Sequence, residues 1–462
     1  METGPANTRD GAALARRRVR ARLSAAGGIC LVLVVVAVSL FAGALPLLPG
    51  AGGIDGGRVR VAAAAVIFAG SYLGLAIGRV PGLAVDRAGI ALVGAGLMVA
   101  AGVLSPRAAF AAIDLDTIAL LLGMMILVAS LRLSGFFPLL AGWCADRARR
   151  PVGLLALVVA ASGLLSAFLV NDAICLVLAP LVLEMARRLG RDPRPYLLAV
   201  AMASNVGSTA TITGNPQNMM IGSLSGISYG RFAAALSPVA LVGLVLTVLL
   251  LWAFHRGEFA RPFAPVRPAA AGRVRPVLLA RAGVAATAMV AGFFAGVRPS
   301  KVAIIVGGLL LLTRRVKSRR VYEEIDWSLL LMFAGLFIIV AGAQQALLGP
   351  GVIAAVGRFR LDLVPVLAGV SALASNLVSN VPAVLLLRPF VAGLADPDRA
   401  WLTVAMASTL AGNLTLLGSV ANLIVAQRAA AGGVRIGFWE YGRVGLPLGL
   451  ASLLFGTLWL AG

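Results

Sequence analysis

The fold is decided by the stretch SNVGSTATITGNPQN, which runs from Ser204 to Asn218. It lies in the middle of an apolar segment, about 196–223, that is long enough to cross a bilayer as a helix. Its proline removes a backbone donor, and its two glycines permit the helix to unwind. Lipid offers no partner to free backbone groups, so such a break is tolerated only where protein or a water-filled cavity surrounds it. The stretch therefore predicts a discontinuous membrane helix with a polar, buried centre.

The rest of the chain is strongly apolar. It has 462 residues, of which 60% are hydrophobic and only 13% are charged, whereas a soluble domain carries roughly 25% charged residues. Apolar segments of the length that crosses a membrane recur along the chain. We place them at about 27–48, 61–78, 89–104, 116–132, 196–223, 232–254, 281–297, 301–313, 325–343, 401–426 and 440–460. The sequence predicts an all-α integral membrane protein with about 11 transmembrane helices.

Two further apolar segments, about 153–188 and 363–388, are interrupted in the middle by polar residues. The interruptions are Asn171-Asp172 and Ser379-Asn380-Val381-Pro382. Charged residues flank each segment on the same predicted side of the membrane. We therefore interpret both as re-entrant hairpins, whose polar tips must be buried in protein or face water.

The two halves of the chain repeat. The block AMASNVGSTATITGNPQNMMIG, from Ala201, aligns with AMASTLAGNLTLLGSVANLIVA, from Ala405. Beyond the shared Ala-Met-Ala-Ser, the identities at a fixed offset are Thr211/Thr415, Gly214/Gly418 and Asn218/Asn422. The first hairpin, SAFLVNDAICLVLAP from Ser166, aligns in the same way with SNLVSNVPAVLLLRP from Ser375. When the topology is assigned by placing the arginine clusters in the cytoplasm, the two halves enter the membrane from opposite sides. This is the inverted-repeat pattern of secondary transporters.

The net charge of +22 could suggest a nucleic-acid partner. The basic residues, however, are mostly arginines in short clusters between apolar segments, without interleaved aromatic residues. This distribution is typical of the cytoplasmic loops of a membrane protein and indicates no nucleic-acid partner. We expect a multi-pass protein of the plasma or inner membrane with a cytoplasmic N-terminus and an external C-terminus. The predicted parts are a basic cytoplasmic N-terminus (1–26), a first span and loop (27–60), a first repeat (61–254), a cytoplasmic linker (255–280) and a second repeat (281–462).

The candidate binding residues lie in the two hairpins and the two broken helices. Threonine and asparagine side chains supply neutral ligands, unwound carbonyl groups can bind a cation, and a half-helix N-terminus can bind an anionic group. The alternative is a purely structural role, in which these Ser, Thr and Gly residues only mediate helix packing. The candidates are Ser166, Asn171, Asp172, Asn205, Gly207, Ser208, Thr209, Thr211, Thr213, Gly214, Asn215, Pro216, Asn218, Ser375, Asn376, Ser379, Asn380, Gly412, Asn413, Thr415, Gly418 and Asn422.

Asp172 is the one acidic residue that we place deep in the membrane region. Intramembrane carboxylates are costly and are usually functional, so Asp172 is a candidate proton carrier. A structural hydrogen bond at the hairpin tip is the alternative. The single histidine, His255, lies in a basic loop, so a histidine metal site is not available. We expect no cofactor and no bound metal, only a coupling ion, H⁺ or Na⁺.

The motifs AIDLDTIALLLGMMILV, FLVNDAICLVLAP, ASNVGSTATITGNPQNMMIG and SNLVSNVPAVLLL resemble those of the ion transporter superfamily. The resemblance is greatest to arsenite efflux permeases, citrate carriers and related anion permeases. It implies scaffold and transport domains, a homodimer, elevator-type motion and, in an arsenite-permease-like protein, a cytoplasmic ATPase subunit. The dicarboxylate members carry Ser-Asn-Thr at each hairpin tip, and only the asparagine is retained here, as Asn171 and Asn380. That departure favours the arsenite-permease branch and proton coupling.

The sequence thus predicts a secondary transporter that moves a small anion, citrate- or dicarboxylate-like or arsenite-like, across the bilayer. A cation/proton antiporter of the same fold is the alternative within this class. A channel and an intramembrane enzyme are the alternatives from other classes. No HExxH or GxSxG motif occurs, which disfavours the enzyme.

Overall fold

The computed structural model describes residues 56–77, 83, 85–260, 274–312, 316–349 and 359–462. These residues fold into helices and connecting turns, which confirms the prediction of an all-α membrane protein. The predicted first span, about 27–48, and the basic N-terminus lie outside the described residues.

In chain order the helices are α1 (Gly56–Ile77), α2 (Arg87–Ala100), α3 (Pro106–Ala112), α4 (Leu115–Ser134), α5 (Phe136–Arg147), α6 (Pro151–Phe168), α7 (Asn171–Arg188), α8 (Pro193–Ser208), α9 (Pro216–Ser225), α10 (Tyr229–Phe254), α11 (Arg256–Phe259), α12 (Pro276–Phe294), α13 (Pro299–Leu311), α14 (Ser318–Tyr322), α15 (Trp327–Leu347), α16 (Val364–Val378), α17 (Asn380–Val391), α18 (Pro397–Leu410), α19 (Val420–Ala431) and α20 (Phe438–Ala461). Two short 3₁₀ turns, Ile212–Gly214 and Ala411–Asn413, follow α8 and α18.

Two compact units divide the chain. The first comprises the described residues within Met1–Asp114 and Trp327–Ala355, so it contains α1, α2, α3 and α15. In this unit α15 packs closely on α2, because a methyl group at Gly335 would lie 2.7 Å from the backbone of Ala91. The helix α2 starts at a regular cap, in which the Asp86 carboxylate accepts a hydrogen bond from the Gly89 amide at 2.8 Å.

The second unit comprises Leu115–Asp326 and Val356–Gly462 and contains all the predicted site residues. Its central element is α8, in which every residue from Pro195 to Ser208 is buried. The helices α6, α7, α10 and α19 pack against α8. The closest approach is to α6, where the backbones at Gly163 and Gly207 leave no room for a side chain. A helix buried on all sides is thus available to carry polar groups away from lipid.

Seven helices of the described residues have the length and apolar composition to span a membrane. They are Gly56–Leu75, Leu115–Ser134, Pro151–Phe168, Tyr229–Phe254, Pro276–Phe294, Trp327–Leu347 and Phe438–Ala461. Six of them coincide with predicted spans, and the seventh, Pro151–Phe168, is the first arm of a predicted hairpin. Of the other five predicted spans, about 27–48 lies outside the described residues, and the remaining four differ for structural reasons. The broken segments 196–223 and 401–426 are each divided into shorter helices, and the apolar helices α2 and α13 have only 14 and 13 residues.

The predicted interruptions lie where one helix ends and the next begins. Asn171-Asp172 open α7, Asn380-Val381-Pro382 open α17, and only Ser379 lies between helices. The segment 153–188 contains most of α6, which starts at Pro151, and all of α7, and the segment 363–388 contains α16 and most of α17, which continues to Val391. The predicted linker, 255–280, includes the short α11 and the first residues of α12. The path of the hairpins through the membrane, the repeat boundaries and the division into scaffold and transport domains stay predictions.

One prediction about local structure is wrong. Gly207 was expected to permit unwinding, but it lies inside α8, one residue before that helix ends. Its missing side chain instead lets α8 approach α6, because a methyl group there would overlap the backbone of Gly163.

We therefore expect Gly207→Ala to destabilise the fold by about 1–3 kcal/mol, the usual cost of overpacking a tight contact. Gly153→Ala on α6 is the matched control, because a methyl group there meets nothing within 4 Å. Thermal unfolding of the purified protein in detergent measures both. Equal unfolding midpoints for the two variants would contradict the packing role of Gly207.

Candidate substrate and ion site

The first break lies between α8 and α9. The helix α8 ends at Ser208, and α9 starts again at Pro216 after the 3₁₀ turn. Asn215 caps the new helix, because its side-chain oxygen accepts a hydrogen bond from the Asn218 amide at 2.9 Å. Pro216 occupies the first helical position, where its missing N–H costs nothing. The sequence Asn-Pro thus restarts the helix, while the residues between Ser208 and Asn215 stay irregular.

The second break lies between α18 and α19. The helix α18 ends at Leu410, and α19 starts at Val420. The cap is Ser419, whose hydroxyl oxygen accepts from the Ala421 amide at 3.2 Å. Ser419 occupies the position that Asn215 occupies in the first repeat, so both restarted helices are capped by a side chain at the same aligned position.

The same side-chain bonds hold both breaks. The Asn218 amide nitrogen donates to the carbonyl oxygens of the residues ten and seven positions before it, at 3.0 Å in both cases. The Asn422 amide nitrogen donates to the carbonyl oxygens at the same two offsets, at 2.7 and 3.2 Å. Both asparagines are buried. Each one therefore bonds two carbonyl groups of the interrupted helix, one of which also accepts from a backbone amide in the same turn.

Asn205 joins the two breaks. Its side-chain nitrogen donates to the side-chain oxygens of Asn413 at 2.9 Å and Asn422 at 3.0 Å. Its side-chain oxygen accepts from the Ser419 hydroxyl at 3.0 Å and from the Asn171 amide nitrogen at 3.2 Å. One buried amide thus connects the first break, the second break and the tip of the first hairpin.

Thr409 makes the reciprocal contacts. It occupies the aligned position of Asn205, and its hydroxyl oxygen accepts from the amide nitrogens of Asn215 and Gln217, both at 3.2 Å. Its hydroxyl also lies 3.5 Å from the side-chain oxygen of Asn218. Residues of each repeat therefore bond the break of the other repeat, and the two predicted breaks lie together in this structure.

The second hairpin tip is held differently from the first. The Ser375 hydroxyl lies 2.6 Å from the Asn380 side-chain oxygen and 2.9 Å from the carbonyl oxygen of Ser408. The Asn376 amide nitrogen donates to the carbonyl oxygen of Ala411 at 3.0 Å. These bonds connect the end of α16 to the second break, so both hairpin tips contact a broken helix.

Ser379 is the single residue between α16 and α17, and its backbone is strained. Its φ and ψ are +77° and 159°, a region that is almost confined to glycine. Such a conformation costs of the order of 1–3 kcal/mol and persists where the surrounding structure imposes it, which is common at binding sites. In the first hairpin the corresponding turn, Leu169 and Val170, has ordinary negative φ values.

The other predicted residues also lie in this region. Ser208 and Thr209 donate to the carbonyl oxygen of Asn205, and Thr211 donates to that of Ala167. The remaining contacts are Thr213 with Tyr229 at 2.8 Å, Thr415 with Asn376 at 3.4 Å, and the tight backbone approaches at Gly214, Gly412 and Gly418. Ser166 is buried without a hydrogen-bond partner. Asp172 is half-buried in the first turn of α7, where the partial positive charge of the helix N-terminus stabilises a carboxylate.

Sequence reasoning missed four participants: Thr409, Gln217, Ser419 and Tyr441. Thr409 and Ser419 could have been found, because they align with Asn205 and Asn215 at the same offset as the identical pairs. Tyr441 lies on α20, and its hydroxyl is 3.3 Å from the Asn413 side-chain oxygen, a contact that no local pattern indicates. Within the described residues no group of three or more His, Cys, Asp or Glu side chains could hold a metal ion.

Residues 72–411 match the family model described as citrate transporter. The chain belongs to the citrate transporter family. This membership also confirms the resemblance to the ion transporter superfamily, and it makes the protein a multi-pass membrane transporter.

Individual relatives agree with the family. The chain is 31% identical over 425 residues to an uncharacterised transporter of Mycobacterium tuberculosis strain H37Rv, covering 86% of this chain and 97% of the relative. It is 31% identical over 450 residues to a silicon efflux transporter of Oryza sativa subsp. japonica, covering 82% and 93%. The crystal structure of the YdaH transporter of Alcanivorax borkumensis has a similar fold, with a TM-score of 0.56 at 16% identity over 76% of this chain and 85% of that one.

The two bridging asparagines carry a prediction. Asn218→Ala and Asn422→Ala each remove two hydrogen bonds to backbone carbonyl oxygens, so we expect each to lower the free energy of unfolding by about 1–3 kcal/mol. Thr287→Ala is the control, because its exposed hydroxyl bonds only its own helix at Gly283. The unfolding midpoint in detergent is the measurement, and a control shift as large as that of the asparagine variants would refute the bridging role.

Proposed function

We propose that this protein is a secondary active transporter that moves a small inorganic or organic anion, citrate- or dicarboxylate-like or arsenite-like. Transport is coupled to H⁺ or Na⁺ and proceeds by elevator-type alternating access in a homodimer. The observation that carries the proposal is the pair of interlocked broken helices, with a hairpin tip bonded to each. Discontinuous helices in two repeats are the sites at which secondary transporters bind substrate and coupling ion.

The helix N-termini support an anionic substrate. Of the four helices that begin at the breaks and tips, α9 and α19 are capped by side chains, whereas α7 and α17 have no side-chain cap. The N-terminus of an uncapped helix presents amide donors and partial positive charge, which favour an anion. The N-terminus of α17 is thus the better candidate for an anion, because the Asp172 carboxylate already lies in the first turn of α7.

The absence of nearby basic residues limits how an anion is held. No lysine or arginine occurs in residues 162–180, 200–225, 371–387 or 403–425, which contain the tips and the breaks. A bidentate guanidinium clamp is therefore not available within these segments. The anion is held by amide and hydroxyl donors and by the helix N-termini, which suits a small ligand of low charge.

The test is uptake into liposomes that contain the purified protein. Citrate, a C4 dicarboxylate, sulfate and arsenite are supplied one at a time, with a pH gradient, a sodium gradient or neither. We expect saturable uptake of one anion that one of the two gradients drives above equilibrium. Flux that rises linearly with concentration and follows no gradient would favour a channel, and exchange of cations for protons would favour the antiporter.

The tip asparagines carry a second prediction. Asn171→Ala and Asn380→Ala are expected to reduce uptake to the level of empty liposomes while the protein remains folded in the membrane, because each tip loses its only amide. Ser105→Ala is the control, since this serine caps α3 in the other compact unit. Near-normal uptake by both asparagine variants would remove the tips from the site.

A third prediction concerns coupling. We propose that Asp172 carries the coupled proton, so Asp172→Asn should abolish accumulation driven by a pH gradient while exchange of substrate across the membrane persists. Glu184→Gln is the matched control on the same helix, because Glu184 is paired with Arg188 and more than half exposed. If a pH gradient still drives accumulation by the Asp172 variant, or if wild-type uptake follows the sodium gradient alone, Asp172 has only a structural role.

A further inference from the structure

The orientation of every amide around Asn205 follows from backbone carbonyl groups, which can only accept hydrogen bonds. The Asn422 side-chain nitrogen faces the carbonyl oxygens of Gly412 and Thr415, so its side-chain oxygen must face Asn205. The Asn413 side-chain nitrogen faces the carbonyl oxygen of Met202 at 3.2 Å, so its oxygen must face Asn205 as well.

Two oxygens facing Asn205 determine how that residue is turned. Its two amide hydrogens go to Asn413 and Asn422, and its oxygen is directed to Ser419 and Asn171. An asparagine side chain has two donor hydrogens and two acceptor lone pairs. All four are engaged by protein groups, so Asn205 has no capacity left for a ligand.

The orientation of Asn205 then determines that of Asn171. Because Asn205 presents an oxygen, Asn171 must offer its nitrogen, and its own oxygen is turned elsewhere. That oxygen is buried and has no hydrogen-bond partner, and the residue is only 4% exposed. A buried acceptor without a donor is costly, which makes this atom a candidate contact for a ligand.

We propose that Asn205 is a positioning residue that makes the first hairpin tip present an oxygen, not an NH₂ group, to the transported ligand. The ligand group that meets Asn171 must then donate a hydrogen bond or carry positive charge. This inference rests on the proposed function, because it takes the hairpin tips as the binding site.

The second tip is held differently. The Ser375 hydroxyl lies within hydrogen-bond distance of two acceptors, the Asn380 side-chain oxygen and the Ser408 carbonyl oxygen, and its single hydrogen can serve only one of them. It therefore does not fix the orientation of the half-buried Asn380. Thr409, in the aligned position of Asn205, directs its hydroxyl to Asn215, Gln217 and Asn218. Only the first tip thus has an amide whose orientation is set by a chain of bonds to the other repeat.

The decisive variant is Asn171→Asp, which keeps the shape of the side chain. An ionised carboxylate cannot donate to the Asn205 oxygen, whereas a protonated carboxyl group donates through its O–H and still presents a C=O. We expect the ratio of variant to wild-type uptake to be at least about tenfold higher at pH 5 than at pH 8. Asn171→Ala is the control, because it has no proton to gain and its ratio should not change with pH.

The other titratable groups near Asn171 are the same in the wild type and in both Asn171 variants. They are Asp172 beside the tip, Cys175 on α7 and Tyr441, whose hydroxyl contacts Asn413. Because each variant is compared with the wild type at the same pH, only a difference between the aspartate and alanine variants counts. A ratio for Asn171→Asp that does not change with pH while uptake remains measurable would overturn the proposal.

A second measurement does not need transport. In a double-mutant cycle, Asn171→Ala and Asn205→Ala are compared with the double variant by unfolding in detergent, and Asn171→Ala with Asn218→Ala is the unbonded control pair. We expect the Asn171–Asn205 pair to shift the unfolding midpoint by less than the sum of the single shifts, and the control pair to be additive. Additive shifts in both pairs would overturn the proposal.

The double-mutant cycle also decides the outcome if Asn171→Asp is inactive at every pH. If the wild-type protein transports none of the tested anions but the Asn171–Asn205 coupling is present, the proposed function is contradicted and the positioning role of Asn205 is supported. If the wild type transports an anion but the coupling is absent, the positioning role is contradicted and the proposed function is supported.

Discussion

A helix that stops inside a membrane leaves backbone carbonyl and amide groups without partners, and lipid cannot supply them. In this protein two buried asparagines meet that requirement. Asn218 and Asn422 each bond two carbonyl oxygens of their own break at identical sequence offsets. The irregular segments are therefore bonded by side chains of their own repeat, and the caps at Asn215 and Ser419 then allow a new helix to begin beyond each segment.

The backbone carbonyl groups fix the orientation of these side-chain amides, and the orientations of the neighbouring amides follow from them one after another. The oxygens of Asn413 and Asn422 require a donor, Asn205 supplies it, and the free side of Asn205 holds Asn171. The second tip lacks this link, and its turn is instead the strained Ser379. Two hairpins of aligned sequence thus differ in how their tips are supported: Asn205 bonds the first tip, whereas Thr409 at the aligned position bonds Asn215 and Gln217 of the first break.

Much of this arrangement could be predicted from the sequence. The interruptions at Asn171 and Ser379, and the breaks within 196–223 and 401–426, stand out because polar, glycine and proline residues occur inside apolar segments. The number of long helices could not be predicted so well, since a break divides one apolar segment into pieces too short to span. Gly207 was misinterpreted because a glycine that unwinds a helix and a glycine that admits a neighbouring helix look alike in sequence.

The contacts between repeats were beyond prediction for a different reason. Asn205, Asn413 and Asn422 were all identified as ligands, but only the structure shows that their amide groups are directed at one another and at backbone carbonyls. A polar residue in a membrane segment indicates that a partner exists without indicating whether that partner is protein or ligand.

This distinction separates the residues of the site by role. The amides of the breaks are engaged by protein atoms, so they stabilise the interrupted backbone and have little capacity to bind anything else. On the first hairpin the oxygen of Asn171 is buried without a hydrogen-bond partner among the described residues, and on the second hairpin α17 begins without a side-chain cap. In the function proposed above, the hairpin tips bind the ligand, and the broken helices supply the frame that holds the tips in orientation.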